Sequence, residues 1–418
     1  MARLGTFRTT LIRAVCIGLL MIAACSAPEQ PAEAPARAEI EGDMNPKAVE
    51  LANRFLIIDT HIDVPYRLND HPEDVGGPTQ TGDFDFPRAI RGGLDVPFLS
   101  VYVPAAYQET GGAKDFADES IDMVEGIAAE HPDKFVMVSS AEQAAAIAGS
   151  GRIGFAMGIE NGAAIEGELA NLKHFYDRGV RYITLAHSEN NRICDSSYST
   201  ERKWNGLSPF GRELVGAMNR IGMLIDISHV SDATVEQVLG LTTAPVIASH
   251  SSCRHFTPGW ERNLSDELIA AVGENGGVVQ INFGSAFLRE DSQKQGTAYW
   301  AARQTHVTEH ELAEDSEQLS AWDAEYWSDK TRLFADVTDV ADHIDRVVEL
   351  AGIDHVGIGS DYDGVGDSLP TGLKDVSQYP NLIAVLLERG YAEADIEKIC
   401  SGNLLRVWRE AERIAAGP

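Results

Sequence analysis

The chain has 418 residues, with 64 Asp and Glu against 34 Lys and Arg for a formal charge of −30, and 44% of its residues are hydrophobic. That apolar share over this length supplies a large core and excludes a chain disordered throughout. The acidity excludes a nucleic-acid-binding protein, which would need clustered Lys and Arg for the phosphate backbone, and five cysteines are too few for a disulfide scaffold.

Residues 1–24 carry Arg3, Arg8 and Arg13 and no acid, and an apolar run fills 14–24. A charged start before a short apolar stretch has the form of an export signal, too short to span a bilayer comfortably. The run ends Ile22-Ala-Ala-Cys25, which resembles the bacterial lipobox, where small residues precede a cysteine that takes a diacylglycerol. The resemblance implies an exported lipoprotein held by Cys25 on the periplasmic side of the cell envelope; an ordinary signal peptide with a chance cysteine is the alternative. Residues 25–45 are rich in Pro, Ala and Glu without hydrophobic periodicity and read as a flexible tether. Cys16 leaves with the signal and Cys25 is acylated, so Cys194, Cys253 and Cys400 remain and form at most one disulfide.

The domain at 46–418 alternates short β-branched runs with helical stretches. The runs are 55–59, 95–103, 153–159, 180–185, 223–227, 245–249, 277–282 and 355–359. Near-continuous apolar strands suit a parallel sheet covered on both faces. Between them, helices are expected over 168–178, stopped by Gly179, over 213–221, stopped by Gly222, and from the N-cap Ser231. Eight such units predict a (β/α)8 TIM-type barrel with insertions. An open doubly wound sheet would want a glycine-rich phosphate loop after its first strand, and Asp59-Thr-His-Ile-Asp-Val-Pro65 has none. Insertions fall at 67–93 and 288–335; the second carries Tyr299, Trp300, Trp322, Tyr326, Trp327 and Phe334. It reads either as helices over the barrel mouth or as a surface excursion packing its own aromatics.

In such a barrel the C-terminal strand ends converge on one face. The residues there are His61 and Asp63, Glu160, His187, His229, His250 and Asp361, so four of twelve histidines and three carboxylates meet at the predicted mouth. His61 and Asp63, two apart on a strand, point to one side and can hold one cation. His229 and His250 end consecutive strands. Three imidazole nitrogens with a carboxylate oxygen form a donor set suited to Zn²⁺. Glu160 could bridge two cations, or be a solvated loop acid. Asp361 suits a further metal ligand or a proton-transfer group, with Asp363 as its local competitor.

These segments resemble the membrane dipeptidase (renal dipeptidase) family of binuclear zinc peptidases. The matching pieces are Ile58-Asp-Thr-His61-Ile-Asp63-Val-Pro, Gly158-Ile-Glu160-Asn, Arg181-Tyr-Ile-Thr-Leu-Ala-His187-Ser, Leu224-Ile-Asp-Ile-Ser-His229-Val-Ser, Ala244-Pro-Val-Ile-Ala-Ser-His250-Ser-Ser, Arg262-Asn-Leu-Ser-Asp, His355-Val-Gly-Ile-Gly-Ser-Asp361-Tyr-Asp-Gly-Val and Asn403-Leu-Leu-Arg-Val-Trp. They run in order from about residue 50 to 412. The resemblance implies two Zn²⁺ per chain, one on His61 and Asp63, the other on His229 and His250, with Glu160 bridging and a metal-bridging hydroxide attacking a dipeptide carbonyl. It also implies that His187 polarises that carbonyl, that Arg262 grips the substrate's terminal carboxylate, and that Asp361 transfers the proton. Arg254 competes for the carboxylate role, and no cysteine follows His187 where the animal enzymes carry one for a disulfide. The substrates implied are L-Xaa-L-Xaa and L-Xaa-D-Xaa dipeptides, and the family implies a homodimer. Alternatives are an amidohydrolase acting on N-acyl amino acids or β-lactams, and a non-catalytic peptide-binding lipoprotein.

Overall fold

Among the described residues nine strands alternate with helices: β1 (Ile57–Ile62), β2 (Leu94–Tyr102), β3 (Phe135–Met137), β4 (Ile153–Glu160), β5 (Val180–Thr184), β6 (Leu224–Asp226), β7 (Ile247–Ala248), β8 (Val278–Ile281) and β9 (Val356–Ile358). The computed structural model describes residues 45–313 and 316–417, so the expected signal, Cys25 and the tether up to residue 44 lie outside the described residues. Every pairing is parallel, in the order β1-β2-β4-β5-β6-β7-β8-β9. β9 then returns to β1: the Asp63 N–H donates to the Tyr362 carbonyl at 2.9 Å, and the Asp361 N–H to the His61 carbonyl at 3.0 Å. This is the TIM-type barrel expected from the sequence, and its eight strands are the eight runs read there. β3 pairs only with β4 and was not foreseen; three residues are too few to display a period.

Strands β1, β4 and β5 are buried along their whole length, as strands covered on both faces must be. Inside the barrel, Ile58, Val96, Phe98, Ala156, Tyr182, Leu224, Ile247 and Val278 pack with Leu404 and Trp408 of the helix Asn403–Ala416. These positions lie at the N-terminal ends of most strands, so the last helix stoppers the end opposite the predicted site. Phe98 and Trp408 meet at 5.1 Å between ring centroids. The helix Pro209–Ile221 starts on the Ser208 hydroxyl, which accepts from the Gly211 N–H, and stops at Gly222 in the left-handed region (φ 78°). Ser231 caps Asp232–Leu241 in the same manner.

The second insertion forms the helices Glu290–His310 and Glu317–Ser328, each with one buried residue, Ser292 and Leu319. Its aromatics pack on one another, with Tyr299 within 5.1–6.3 Å of Trp300, Trp322, Tyr326 and Trp327. The short helix Ser285–Leu288 reaches the barrel mouth through Phe287. Cys194, Cys253 and Cys400 are buried free thiols. Among the described residues no helix is long and apolar enough to cross a membrane.

Candidate metal centre

Each predicted residue stands where a strand hands over to its loop. β1 delivers His61 and then Asp63, β4 ends on Glu160, and His187, His229, His250 and Asp361 follow β5, β6, β7 and β9. Two of them take a left-handed backbone, His229 at φ 66° and Asp361 at φ 65°. Non-glycine residues adopt it at a cost of about 1–3 kcal/mol, which the surrounding structure must offset. The turn it makes aims both side chains back over the mouth.

The donors converge on Glu160. Its Oε2 lies 3.4 Å from His61 Nε2, which is itself 3.4 Å from Asp63 Oδ2. Its Oε1 lies 3.0 Å from His229 Nε2, 3.2 Å from His250 Nε2 and 3.6 Å from His187 Nε2. Three groups come within 4.8 Å of one another: His61, Glu160 and His250; Glu160, His187 and His229; His61, Asp63 and Asp361. All of these residues are buried except His187, which is half-buried at the rim.

Burial alone would raise the Glu160 carboxyl, but His61, His187, His229 and His250 hold it well below the usual carboxylate range. Burial, reinforced by Arg262 and neighbouring histidines, keeps His187, His229 and His250 below the ordinary imidazole value, and so neutral. Neutral imidazole is the form that binds a cation. Burial also opposes charge on His61, yet Tyr182, Glu160 and Asp63 together raise it well above the ordinary value. Two carboxylates thus draw a positive charge to the point between them. Burial pushes Asp361 up to about 7. Its Oδ2 accepts from Asn282 Nδ2 at 2.6 Å, and the Gly284 N–H holds that amide in place by donating to Asn282 Oδ1 at 2.7 Å.

Arg262 is buried beside the cluster. Its Nη1 donates to Ser251 Oγ and its Nη2 to the His250 carbonyl, both at 2.8 Å, while Nη2 also lies 2.9 Å from His229 Nε2. Its Nε has no partner, and Phe287 lies over its guanidinium at 4.9 Å. Arg254, the sequence competitor, is engaged by both oxygens of Asp232. Asp363 likewise accepts from Arg67 Nε at 2.9 Å and is interlocked with Asp83.

Sequence reasoning missed Asn282, at the end of β8. The strand-end rule that found the histidines would have found it too, as the first short polar side chain after Val-Val-Gln-Ile. It also missed Tyr182, an apparently ordinary core aromatic, and Tyr198, whose ring lies 5.8 Å from His229.

The sequence profile of the membrane dipeptidase family (peptidase family M19) matches residues 46–417. The chain belongs to this family. The membrane dipeptidases are hydrolases of the metallopeptidase type, and among curated relatives an uncharacterized dipeptidase of Schizosaccharomyces pombe is 32% identical over 394 residues, 88% of this chain and 83% of its own length. The dipeptidase tcpJ of Claviceps purpurea is 33% identical over 346 residues, covering 80% and 71%. Among solved structures, the probable dipeptidase PvdM of Pseudomonas aeruginosa superposes with a TM-score of 0.74 at 28% identity, over 88% of this chain and 98% of that one.

The residues of this membrane dipeptidase fit a metal. His61 Nε2 is fully buried with no hydrogen-bond partner, although two carboxylate oxygens stand 3.4 Å away. His229 Nε2 and His250 Nε2 face each other at 2.7 Å, a contact that two neutral rings can make only when one of them donates. A cation among these atoms satisfies all of them, and imidazole with carboxylate is a donor set that zinc accepts along with other divalent metals.

Proposed function

We propose that the chain is a zinc-dependent dipeptidase with two cations per chain, cleaving L-Xaa-L-Xaa and L-Xaa-D-Xaa dipeptides. The observation that carries this reading is the convergence of His61, His229, His250 and His187 on the single carboxylate of Glu160. His61 and Asp63 would hold one cation, His229 and His250 the other, with Glu160 between them. When bound, such cations supply Lewis-acid chemistry that makes water a nucleophile near neutral pH.

The chain's own residues do the rest. Arg262 orients the substrate by gripping its terminal carboxylate, and its unpartnered buried Nε–H supports that role. His187, neutral at the rim, donates to the carbonyl oxygen as negative charge develops there. Asp361, with a carboxyl pushed up to about 7, exists in both protonation states near neutrality. It can therefore take a proton from the attacking water and return it to the leaving amine. Asn282 keeps its Oδ2 in one place meanwhile.

Export and lipid attachment through Cys25 are part of the same proposal, supported by the apolar run and Ile22-Ala-Ala-Cys25. A dipeptide panel run beside N-acyl amino acids, together with zinc analysis of the purified full chain, tests the reading. About two zinc per chain and hydrolysis of free-carboxylate dipeptides are expected. A chain that binds no zinc, or cleaves none of the dipeptides with zinc added, sinks it.

A further inference from the structure

The histidines on the two sides of Glu160 are backed by different groups. His61 Nδ1 lies 2.8 Å from the Tyr182 hydroxyl, and that hydroxyl donates its single proton to the Thr60 carbonyl at 3.0 Å. A carbonyl only accepts, so the phenol oxygen must accept from His61 Nδ1–H. His250 Nδ1 lies 2.7 Å from Ser249 Oγ, which donates to Asp226 Oδ2 at 2.6 Å. The serine proton is thereby spent on the carboxylate, and Ser249 Oγ must accept from His250 Nδ1–H. With each ring in its neutral, cation-binding form, the lone pair is left on Nε2, the atom facing Glu160.

What stands at the end of each relay differs. Behind His61 is a neutral phenol and a backbone carbonyl. Behind His250 is Asp226, wholly buried inside the barrel at the end of β6. Its Oδ1 accepts the Ser228 and Ser249 N–H groups at 3.0 and 2.8 Å, and its Oδ2 accepts the Ser249 and Thr184 hydroxyls. A buried carboxylate polarises the Ser249 O–H, and the polarised oxygen in turn draws on the imidazole N–H, which makes Nε2 a stronger donor.

We propose that Asp226, acting through Ser249, is a positioning residue that fixes the His250 tautomer and sets the cation affinity of the His229 and His250 position alone. Tyr182 sets that of the His61 and Asp63 position, so the two can be weakened separately. This rests on the zinc reading above.

The test is zinc retention by the full chain against a graded chelator, read as bound zinc per chain. Ser249→Ala leaves both backbone bonds to Asp226 and is the primary variant; Asp226→Asn and Tyr182→Phe accompany it. Ser249→Ala is expected to release one of two equivalents at a chelator concentration about tenfold or more lower, with the other unmoved. Asp226→Asn should shift the same equivalent, and adding it to Ser249→Ala should change little further, because both cut one relay. Tyr182→Phe should shift the other equivalent, and combined with Ser249→Ala it should shift both. Wild-type protein with two zinc and a Ser249→Ala curve that does not move, or that moves for both equivalents, overturns the proposal while the zinc reading stands. Wild-type protein with no zinc overturns that reading and the proposal with it.

Discussion

His229 Nε2 and His250 Nε2 lie 2.7 Å apart, and the same oxygen of Glu160 stands 3.0 and 3.2 Å from them. Glu160 thus reaches His61 in β1 together with the histidines that follow β5, β6 and β7. Glu160→Gln keeps its shape and halves its acceptor capacity. Bound zinc should fall from two per chain to one or none after dialysis, a loss beyond the about 10- to 100-fold that outer contacts cost. Elemental analysis reads this directly, and a variant retaining both zinc would remove Glu160 from the centre of the site.

Asp361→Asn removes the proton-carrying group and keeps the size and the contact to Asn282. The expected result is a fall in kcat of about 10²- to 10⁴-fold with zinc content unchanged. A variant that loses zinc in step with activity would make Asp361 a ligand instead.

Arg262→Lys exchanges a planar fork for a point charge. One charge-assisted hydrogen bond is worth about 1.5–3 kcal/mol, so KM for a free-carboxylate dipeptide should rise about 10- to 100-fold. The matching dipeptide amide should lose much less. Equal losses on both substrates would mean that Arg262 supports His229 and His250 and does not touch substrate.

His343 lies in the helix Val337–Ala351, fully buried, accepting the Cys253 N–H at 2.9 Å on Nδ1 and facing the Leu288 carbonyl at 3.1 Å with Nε2. Burial lowers it to about 4, against an ordinary value of 6.5. Between those pH values the unfolded chain takes a proton that the folded chain refuses. The stabilisation is thus intact above pH 6.5 and lost as pH falls through the window, to about 3 kcal/mol in all. Urea unfolding of His343→Gln should show a shallower loss of stability from pH 6.5 to 4 than wild type. Identical slopes would refute the assignment.

The barrel was legible because burial on both faces writes long apolar runs, and the site because chemistry-bearing residues interrupt those runs at their ends. His61, Glu160, His229 and Asp361 all announce themselves in this way. Other parts leave no such mark. Tyr182 is a strand residue like its neighbours until the ring closes and its hydroxyl meets His61 from 121 positions away. The backbone reversal at His229 and Asp361 is equally silent, since neither residue type demands a positive φ. The helices Glu290–His310 and Glu317–Ser328 leave no such mark either, because their aromatics satisfy one another and show no periodic face that points at the barrel.

Cys25→Ser tests the anchor. The full-length wild-type chain should sediment with membranes after a high-salt wash, and the variant should stay in the supernatant. A variant that still sediments would show attachment by some other route.

The bond from Thr60 Oγ1 to the Ile358 carbonyl joins residues 298 positions apart, and the same seam brings Asp361 to His61 and Asp63. The reaction centre thus sits on the suture where the two ends of the sheet meet. No amino-terminal portion of the chain, however well folded, owns a complete set of groups until β9 has been synthesised. Loop closure over such a span comes late in folding. A truncated or stalled chain is therefore silent, and turnover reports a finished ring.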